Sequence, residues 1–381
     1  MEYIEIQTIT NNLDSRRIPL NSQERQKKTV YGKYPYVGAN NIQGYIDEYI
    51  FDEKILCVAE DGGAWGANQK CAIIMNEKCW VNNHAHVLTA KENLILEYLM
   101  YYLNHADLTL HINGATRGKL TKGTLNKIKI PLPDLPTQQK IAALLSKADE
   151  LRQFNKQLIQ KYDALTQSLF LDMFGDPVRN EKGWEKKQMQ ELMTIVRGGS
   201  PRPIDKFLGG TIPWIKISDG TKGGNIYLNH TKQHIITEGL SKTRLLPKNS
   251  LIFANCGVSL GFARIITFEG CIHDGWLAFS EIDEEKLNKI YLLKALNSIT
   301  AYFRNSAPEG TQPNLNTGIM KSFEIILPPI ILQNKFEQQL LLIEQQKEQA
   351  QQALQKSEDL FNSLLQKAFK GELVTQDLLT A

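Results

Sequence analysis

The stretch LPDLPTQQKI at residues 132–141 ends one kind of structure and starts another, and a near copy, LPPIILQNKF, begins at residue 327. Proline donates no ladder hydrogen bond and disfavours helix in the residue before it, so Pro131, Pro133 and Pro136 stop a strand. Thr137 is then placed to cap a helix that follows at once. Pro328 and Pro329 make the same stop in the second copy.

The copies extend in both directions. YLMYYLN at residue 98 is answered by YLLKALN at 291, GATRGKLTKGTLNKIKIPLP at 114 by GTQPNLNTGIMKSFEIILPP at 310, and SLFLDMF at 168 by SLLQKAF at 363, with an offset near 195. YPYVGANNIQGYI at 34 resembles IPWIKISDGTKGGNI at 212, and GGAWG at 62 resembles GVSLG at 257. The chain is therefore two copies of one unit. Each has a β-rich front with Gly, Asn and Asp turns, a helix near residues 92–105 or 284–305, a glycine loop, a short strand and a long helix.

In the first long helix Ile141, Leu144, Ala148, Leu151, Asn155, Leu158, Tyr162, Leu165 and Leu169 recur at spacings of three and four, the seam of a coiled coil. Leu144, Leu151, Leu158 and Leu165 hold one row, and Asn155 is of the type that fixes register. In the second, Phe336, Ile343, Ala350, Ala353, Leu360 and Leu364 mark the seam, interrupted by Gln339, Gln346 and Ser357. At 1.5 Å per residue the first helix would span roughly 55 Å, too long for the interior of a small domain. Two such rods most simply pack together, antiparallel, with the globular fronts at opposite ends.

The bulk numbers agree with a folded protein of more than one domain: 381 residues, 42% hydrophobic, 22% charged. The start, MEYIEIQTIT, has no basic region followed by an apolar core, and no apolar run approaches the roughly 20 residues of a membrane span, so the cytoplasm is the expected location. Five cysteines, Cys57, Cys71, Cys79, Cys256 and Cys271, form an odd set without a C-x-x-C pair and read as reduced thiols. A formal net charge of +3 is too mild to identify a nucleic-acid partner.

Catalytic motifs are missing. GATRGKL at residue 114 departs from a phosphate-binding loop, because Leu120 stands where Ser or Thr should follow the lysine. No G-x-G-x-x-G follows a strand, and no Asn-Pro-Pro-aromatic segment is present to hold an amino group for methyl transfer. His84 and His86, with Cys79 nearby, lack a second ligand cluster, and HDGWLAF in the repeat does not keep the pair, so they read as polar residues on a ligand-facing strand rather than a metal site. Glu284, Glu285 and Lys286 open a helix rather than a nuclease strand.

What remains is a polar and basic set in the two fronts. The first offers Arg16, Arg17, Arg25, Lys27, Lys28, Lys33, Trp65, Asn68, Gln69, Arg117 and Lys119; the second Arg197, Arg202, Lys206, Lys216, Lys222, Asn255, Arg264, Trp276, Gln312 and Asn314. Arg and Lys position phosphates and read guanine, while Asn and Gln read adenine. Singly each is an ordinary surface group; their recurrence in turn-rich segments marks the set.

NKIKIPLPDLPTQQKIAALLSKADEL, SLFLDMFGDP, VRGGSPRP and GTQPNLNTGIMKSFEIILPP together resemble the specificity subunit of a type I restriction-modification enzyme, over the whole chain. The resemblance implies an α+β fold with an internal pseudo-twofold repeat: two β-rich target-recognition domains joined by two long helices forming an antiparallel coiled coil. The implied divisions are a first domain at 1–135, a helix at 136–175, a second domain at 176–330, a helix at 331–375 and a tail at 376–381. Each domain would read half of a bipartite, asymmetric double-stranded DNA site, and the helices would set the spacer. Two methyltransferase subunits would dock on this frame and restriction-translocase subunits would join them. S-adenosylmethionine, ATP and magnesium would belong to those partners, with no catalytic residue, metal or cofactor on this chain.

By the same resemblance Gly114, Thr116, Arg117, Gly118, Lys119 and Leu120 match the first glycine-loop motif, and Gly310, Gln312, Asn314 and Leu315 the second. Arg197, Gly199, Ser200 and Pro201 match the opening of the second recognition domain; the first domain lacks a clear counterpart. The rival reading is a protein-binding scaffold, which scattering of the basic and amide residues away from the glycine loops would favour.

Overall fold

A computed structural model of the chain describes residues 2–114, 117–221, 226–257, 259–306 and 314–374. It divides into two units, Met1–Gln157 with Gln351–Ala381, and Leu158–Ala350.

In the first unit a four-stranded sheet runs in the order Thr10–Asn12, Ala85–Ala90, Ile55–Ala59, Ala72–Met75, antiparallel throughout. Alternate residues of a strand point to opposite faces, and both faces of Ile55–Ala59 are covered. Leu56 and Val58 pack with Leu96, Leu99 and Leu103 of helix α1 (Leu96–His105), whereas Ile55 and Cys57 pack with Val37, Val81 and Val87. A second sheet pairs Tyr34–Val37 antiparallel with Ile42–Ile46 and parallel with Trp80–Val81. The first strand, Tyr3–Glu5, pairs with Lys129–Pro131, which follows the short helix Lys122–Lys127 after the glycine loop and ends at the prolines.

The second unit repeats the plan with additions. Thr194–Arg197, Trp276–Ser280, Leu251–Ala254 and Ala263–Ile266 stand in the same order and gain an edge strand, Tyr227–Leu228. Leu208–Ile215 pairs parallel with Gly270–Ile272, as Tyr34–Val37 does with Trp80–Val81. Lys186–Gln188 closes on Glu324–Ile326.

The repeated sequence words become repeated joints. From YLMYYLN, Tyr98 donates its hydroxyl to Pro131 O at 2.7 Å and Asn104 Nδ2 donates to Ala72 O at 3.0 Å. From YLLKALN in α3 (Lys289–Ser298), whose N-cap is Asn288, Tyr291 donates to Ile326 O at 3.0 Å and Asn297 Nδ2 to Ala263 O at 3.4 Å. The double proline entrance carries a buried glutamine each time. Gln138 of α2 (Leu135–Phe174) donates Nε2 to Asn93 O and Pro133 O and accepts from Ile95 N; Gln333 of α4 (Ile330–Lys370) donates to Lys286 O and Pro328 O and accepts from Asn288 N. Each glutamine thus ties a long helix to the start of the preceding helix. The cap of α2 is Asp134, whose Oδ1 accepts from Thr137 N at 3.1 Å, so Thr137 is capped rather than capping.

The long helices run antiparallel where they pack. In the first unit Ile141, Leu145 and Ala148 meet Phe361, Leu365 and Ala368, and Asn155 Nδ2 donates to Ser357 Oγ at 3.4 Å. In the second, Phe170 and Phe174 pack on Phe336, and Lys347 pairs with Asp163. The seam lies one residue beyond the leucine row expected from sequence. Leu151, Leu165 and Leu360 are 47%, 48% and 47% exposed, while Leu145, Thr166 and Phe361 are buried. Leu144, Leu158, Tyr162, Ile343 and Leu364 are half-buried, and Asn155 and Phe336 are buried. Ser357 does not interrupt the seam; it is in it, 2% exposed. The helix ends dictate the rotation, because α2 must bury Leu145 beside Tyr98 and Tyr101 at one end and Phe170 beside Tyr291 at the other.

Candidate nucleic-acid interface

In the first unit the glycine loop begins where a hairpin is tied shut: Asn113 N donates to Lys119 O at 2.9 Å and Lys119 N to Asn113 O at 2.7 Å. Gly114, at φ +103°, could not carry a Cβ, which would lie 2.5 Å from Arg117 O. Thr116 lies outside the described residues. Leu120 N donates to Glu60 O at 2.8 Å, so the loop's exit is pinned to the end of Ile55–Ala59.

Glu60 organises the charges there. It accepts from Arg17 Nη1 at 2.7 Å and pairs with Lys119 Nζ at 2.9 Å; burial opposes ionisation, but these two cations bring its carboxyl below the usual range. Behind it His86, 1% exposed, places Nδ1 2.7 Å from Asp14 Oδ2 and Nε2 2.8 Å from Leu120 O. Burial alone would raise Asp14, yet hydrogen bonds from His86 and Val87 N hold it down to about 2. Asp14, Glu60 and His86 bring their ligand atoms within 4.8 Å of one another. Arg17 and Lys119 already supply the positive charge a cation would bring, so the cluster is a salt-bridge network. His84 is engaged separately, with Asp61 at 2.6 Å, and Cys79 is buried with its thiol pushed up to about 12, so the three do not converge.

In front of this network opens a polar cleft of about 420 Å3 lined by Asn21, Arg25, Gln43, Asn82, His84 and Arg117. Arg117, 66% exposed, donates to Asp61 Oδ1 at 2.9 Å. Sequence reasoning misses Gln43 and Asn82, whereas His84 lines the cleft as a polar residue of a ligand-facing strand would. Asn82 follows the parallel strand pair and aligns with His273 through matching bonds, Asn82 N to Val37 O and His273 N to Ile215 O.

Several expected contacts lie elsewhere. Arg17 is largely buried in the Glu60 network. Trp65 is a core residue, 8% exposed, donating Nε1 to Ala59 O. Arg16 pairs with Glu53 and stacks on Phe51; Lys28 pairs with Glu48. Lys27 is exposed at the end of Ser22–Lys27. Asn68 opens into a separate cavity of about 400 Å3 beside Tyr101 and Arg152.

In the second unit the RGGSPRP segment lies against HDGW. Gly198 and Gly199 are required by close approach: a Cβ would come within 2.3 Å of His273 O and 2.6 Å of Lys242 O. Asp274 gathers the side chains, accepting from Ser200 Oγ at 2.8 Å and lying 3.0 Å from His273 Nε2 and 3.6 Å from Arg202, while Arg197 Nε donates to its backbone O at 2.7 Å. Burial works against Asp274, but Ser200 and His273 bring its carboxyl below the usual range, and burial lowers His273. Lys216 lies over Trp214 at 6.0 Å. Asn255 is fully buried and donates Nδ2 to Asn314 Oδ1 at 3.2 Å. Gln312 lies outside the described residues. Arg264 is not in this group: it is 9% exposed and lines a cavity of about 730 Å3 with Lys294 and Asn297.

Among the described residues no helix is long and apolar enough to cross a membrane. Residues 3–162 and 181–351 match the family model for the type I restriction modification DNA specificity domain. A Haemophilus influenzae protein named as a type I restriction enzyme specificity subunit is 27% identical over 344 residues, covering 88% of this chain and 85% of that one. The type I restriction enzyme MjaIX specificity subunit of Methanocaldococcus jannaschii is 25% identical, covering 76% and 71%. A crystal structure of the S subunit of a type I restriction-modification system from M. genitalium shares the fold, at 17% identity and a TM-score of 0.61 over 97% of this chain and 96% of that one. A chain from a structure of type I system assembly and conformational transition matches at 16% identity and a TM-score of 0.57, covering 97% and 98%.

Proposed function

Since the chain belongs to the type I restriction modification DNA specificity domain family, we propose that it is the sequence-recognition subunit of a type I restriction-modification complex, each unit reading one half of a bipartite, asymmetric DNA site. One observation carries this reading: the same backbone frame occurs twice, and at matching places it presents different polar side chains, Asn82 and Lys119 in one unit, His273 and Asn314 in the other. Two similar frames with different side chains suit two unrelated short sequences, with phosphate contacts adding affinity that falls with salt. The long helices set the spacer, as half-site separation follows geometry in other two-part DNA readers.

On this reading the chain is not itself an enzyme. Methyl transfer, cleavage and translocation, with S-adenosylmethionine, ATP and magnesium, belong to two methyltransferase subunits and the restriction-translocase subunits, in the cytoplasm. The test is selection of random duplexes by the chain purified with its neighbouring methyltransferase. Two constant base blocks separated by a fixed unread gap support the proposal; one continuous block, or no enrichment by an assembled complex, refutes it.

A further inference from the structure

Asn314 and Lys119 occupy the same place in the two units. Each stands one residue before a buried leucine whose N–H donates to the residue just after the central strand: Leu315 N to Asn255 O and Leu120 N to Glu60 O, both at 2.8 Å. Each also bridges the next residue along, Asn314 with Cys256 and Lys119 with Asp61. On this shared backbone the two side chains are held by the equivalent neighbour, but with opposite chemistry. Asn255 donates to Asn314 Oδ1 at 3.2 Å, amide to amide; Glu60 pairs with Lys119 Nζ at 2.9 Å, carboxylate to ammonium.

We propose that Asn314 and Lys119 are base-reading residues, Asn314 for an adenine in one half-site and Lys119 for a guanine in the other, with Asn255 and Glu60 as their positioning residues. The inference rests on the DNA-reading function above. After accepting from Asn255, Asn314 Oδ1 keeps a second lone pair and Nδ2 keeps both donors, which is the set needed to face adenine N6 and N7. Lys119 gives one of its three donors to Glu60 and keeps two for guanine O6 and N7. Asn255 is completely buried and its own Oδ1 has no hydrogen-bond partner among the described residues. Burying such an amide is unfavourable, and the contact it makes is the one that orients Asn314.

The experiment is duplex selection by the complex of this chain with its methyltransferase, comparing wild type with Asn314→Asp, Lys119→Gln and Asn255→Ala. Carboxylates accept from cytosine N4, and glutamine reads adenine. Asn314→Asp is therefore expected to change one position of one half-site from adenine to cytosine, Lys119→Gln one position of the other from guanine to adenine, each by roughly tenfold to a hundredfold. Asn255→Ala relaxes the position governed by Asn314 and no other, which a merely structural role would not do. If wild type selects two half-sites and all three variants leave both equally sharp, or weaken every position uniformly, this inference fails while the DNA-reading function stands. If wild type selects no bipartite site, the function itself fails.

Discussion

Asn155 and Ser357 face each other inside the helix seam of the first unit, 6% and 2% exposed, joined by one hydrogen bond of 3.4 Å from Asn155 Nδ2 to Ser357 Oγ. Ser357 also donates to Leu354 O at 2.8 Å, so its hydroxyl is satisfied from both sides. A polar pair at such a position favours one register over its neighbours.

Removing one partner should cost more than removing both. Ser357→Ala leaves the Asn155 amide buried with no acceptor and is expected to destabilise by about 1–3 kcal/mol. The double variant Asn155→Leu with Ser357→Ala should stay within about 1 kcal/mol of wild type, since two apolar groups replace a matched polar pair. Urea unfolding of the three proteins checks the order; a double variant weaker than Ser357→Ala would contradict it.

The glutamine joints predict matched effects in the two units. Gln138→Ala and Gln333→Ala each strip a buried side chain of three backbone hydrogen bonds. Each should cost at least about 3 kcal/mol, because orphaned buried groups lose about 1–3 kcal/mol apiece. Thermal unfolding measures both losses, and an unchanged midpoint for either would show the joint to be dispensable.

Acid should find the Asp14 network. Asp14 is held at about 2, below the ordinary aspartate value, so its contribution is fully present above about pH 4 and is lost as pH falls from there toward 2. The depression corresponds to about 2 kcal/mol. Wild type should therefore exceed Asp14→Asn in stability near pH 6, with the gap closing below pH 4. A gap independent of pH would contradict the assignment.

The ruler is tested by shortening it. Deleting one heptad from each long helix removes about 10 Å of helix at 1.5 Å per residue, close to three base pairs of duplex at 3.4 Å each. The spacer in the selected site should shorten by about three base pairs while both base blocks stay as they were. An unchanged spacer would dismiss the helices as its determinant.

Sequence showed the repeat, the proline stops and the antiparallel helices, because each leaves a local pattern. It placed one row of the seam, Ile141, Ala148 and Asn155, and put the leucine row one residue off: leucine spacing identifies a periodic face, whereas the second buried row is chosen by Tyr98, Tyr101 and Tyr291, which lie far away in sequence. Sequence alone puts Arg17 among the DNA contacts because two of its partners, Glu60 and Ala85, lie 43 and 68 residues away. Trp65 looked exposed in a glycine-rich turn, yet those turns fold it into the core. Asp61, His273 and Asp274 became visible only when the strands brought them beside Arg117 and Ser200.

The most direct measurement is a methylation map of DNA from cells that co-express this chain with its neighbouring methyltransferase. The account predicts a single bipartite, asymmetric methylated site, giving both half-sites and the spacer at once. No methylation by a complex confirmed as assembled, or methylation at one uninterrupted sequence, would contradict two-part recognition and favour a protein-binding scaffold.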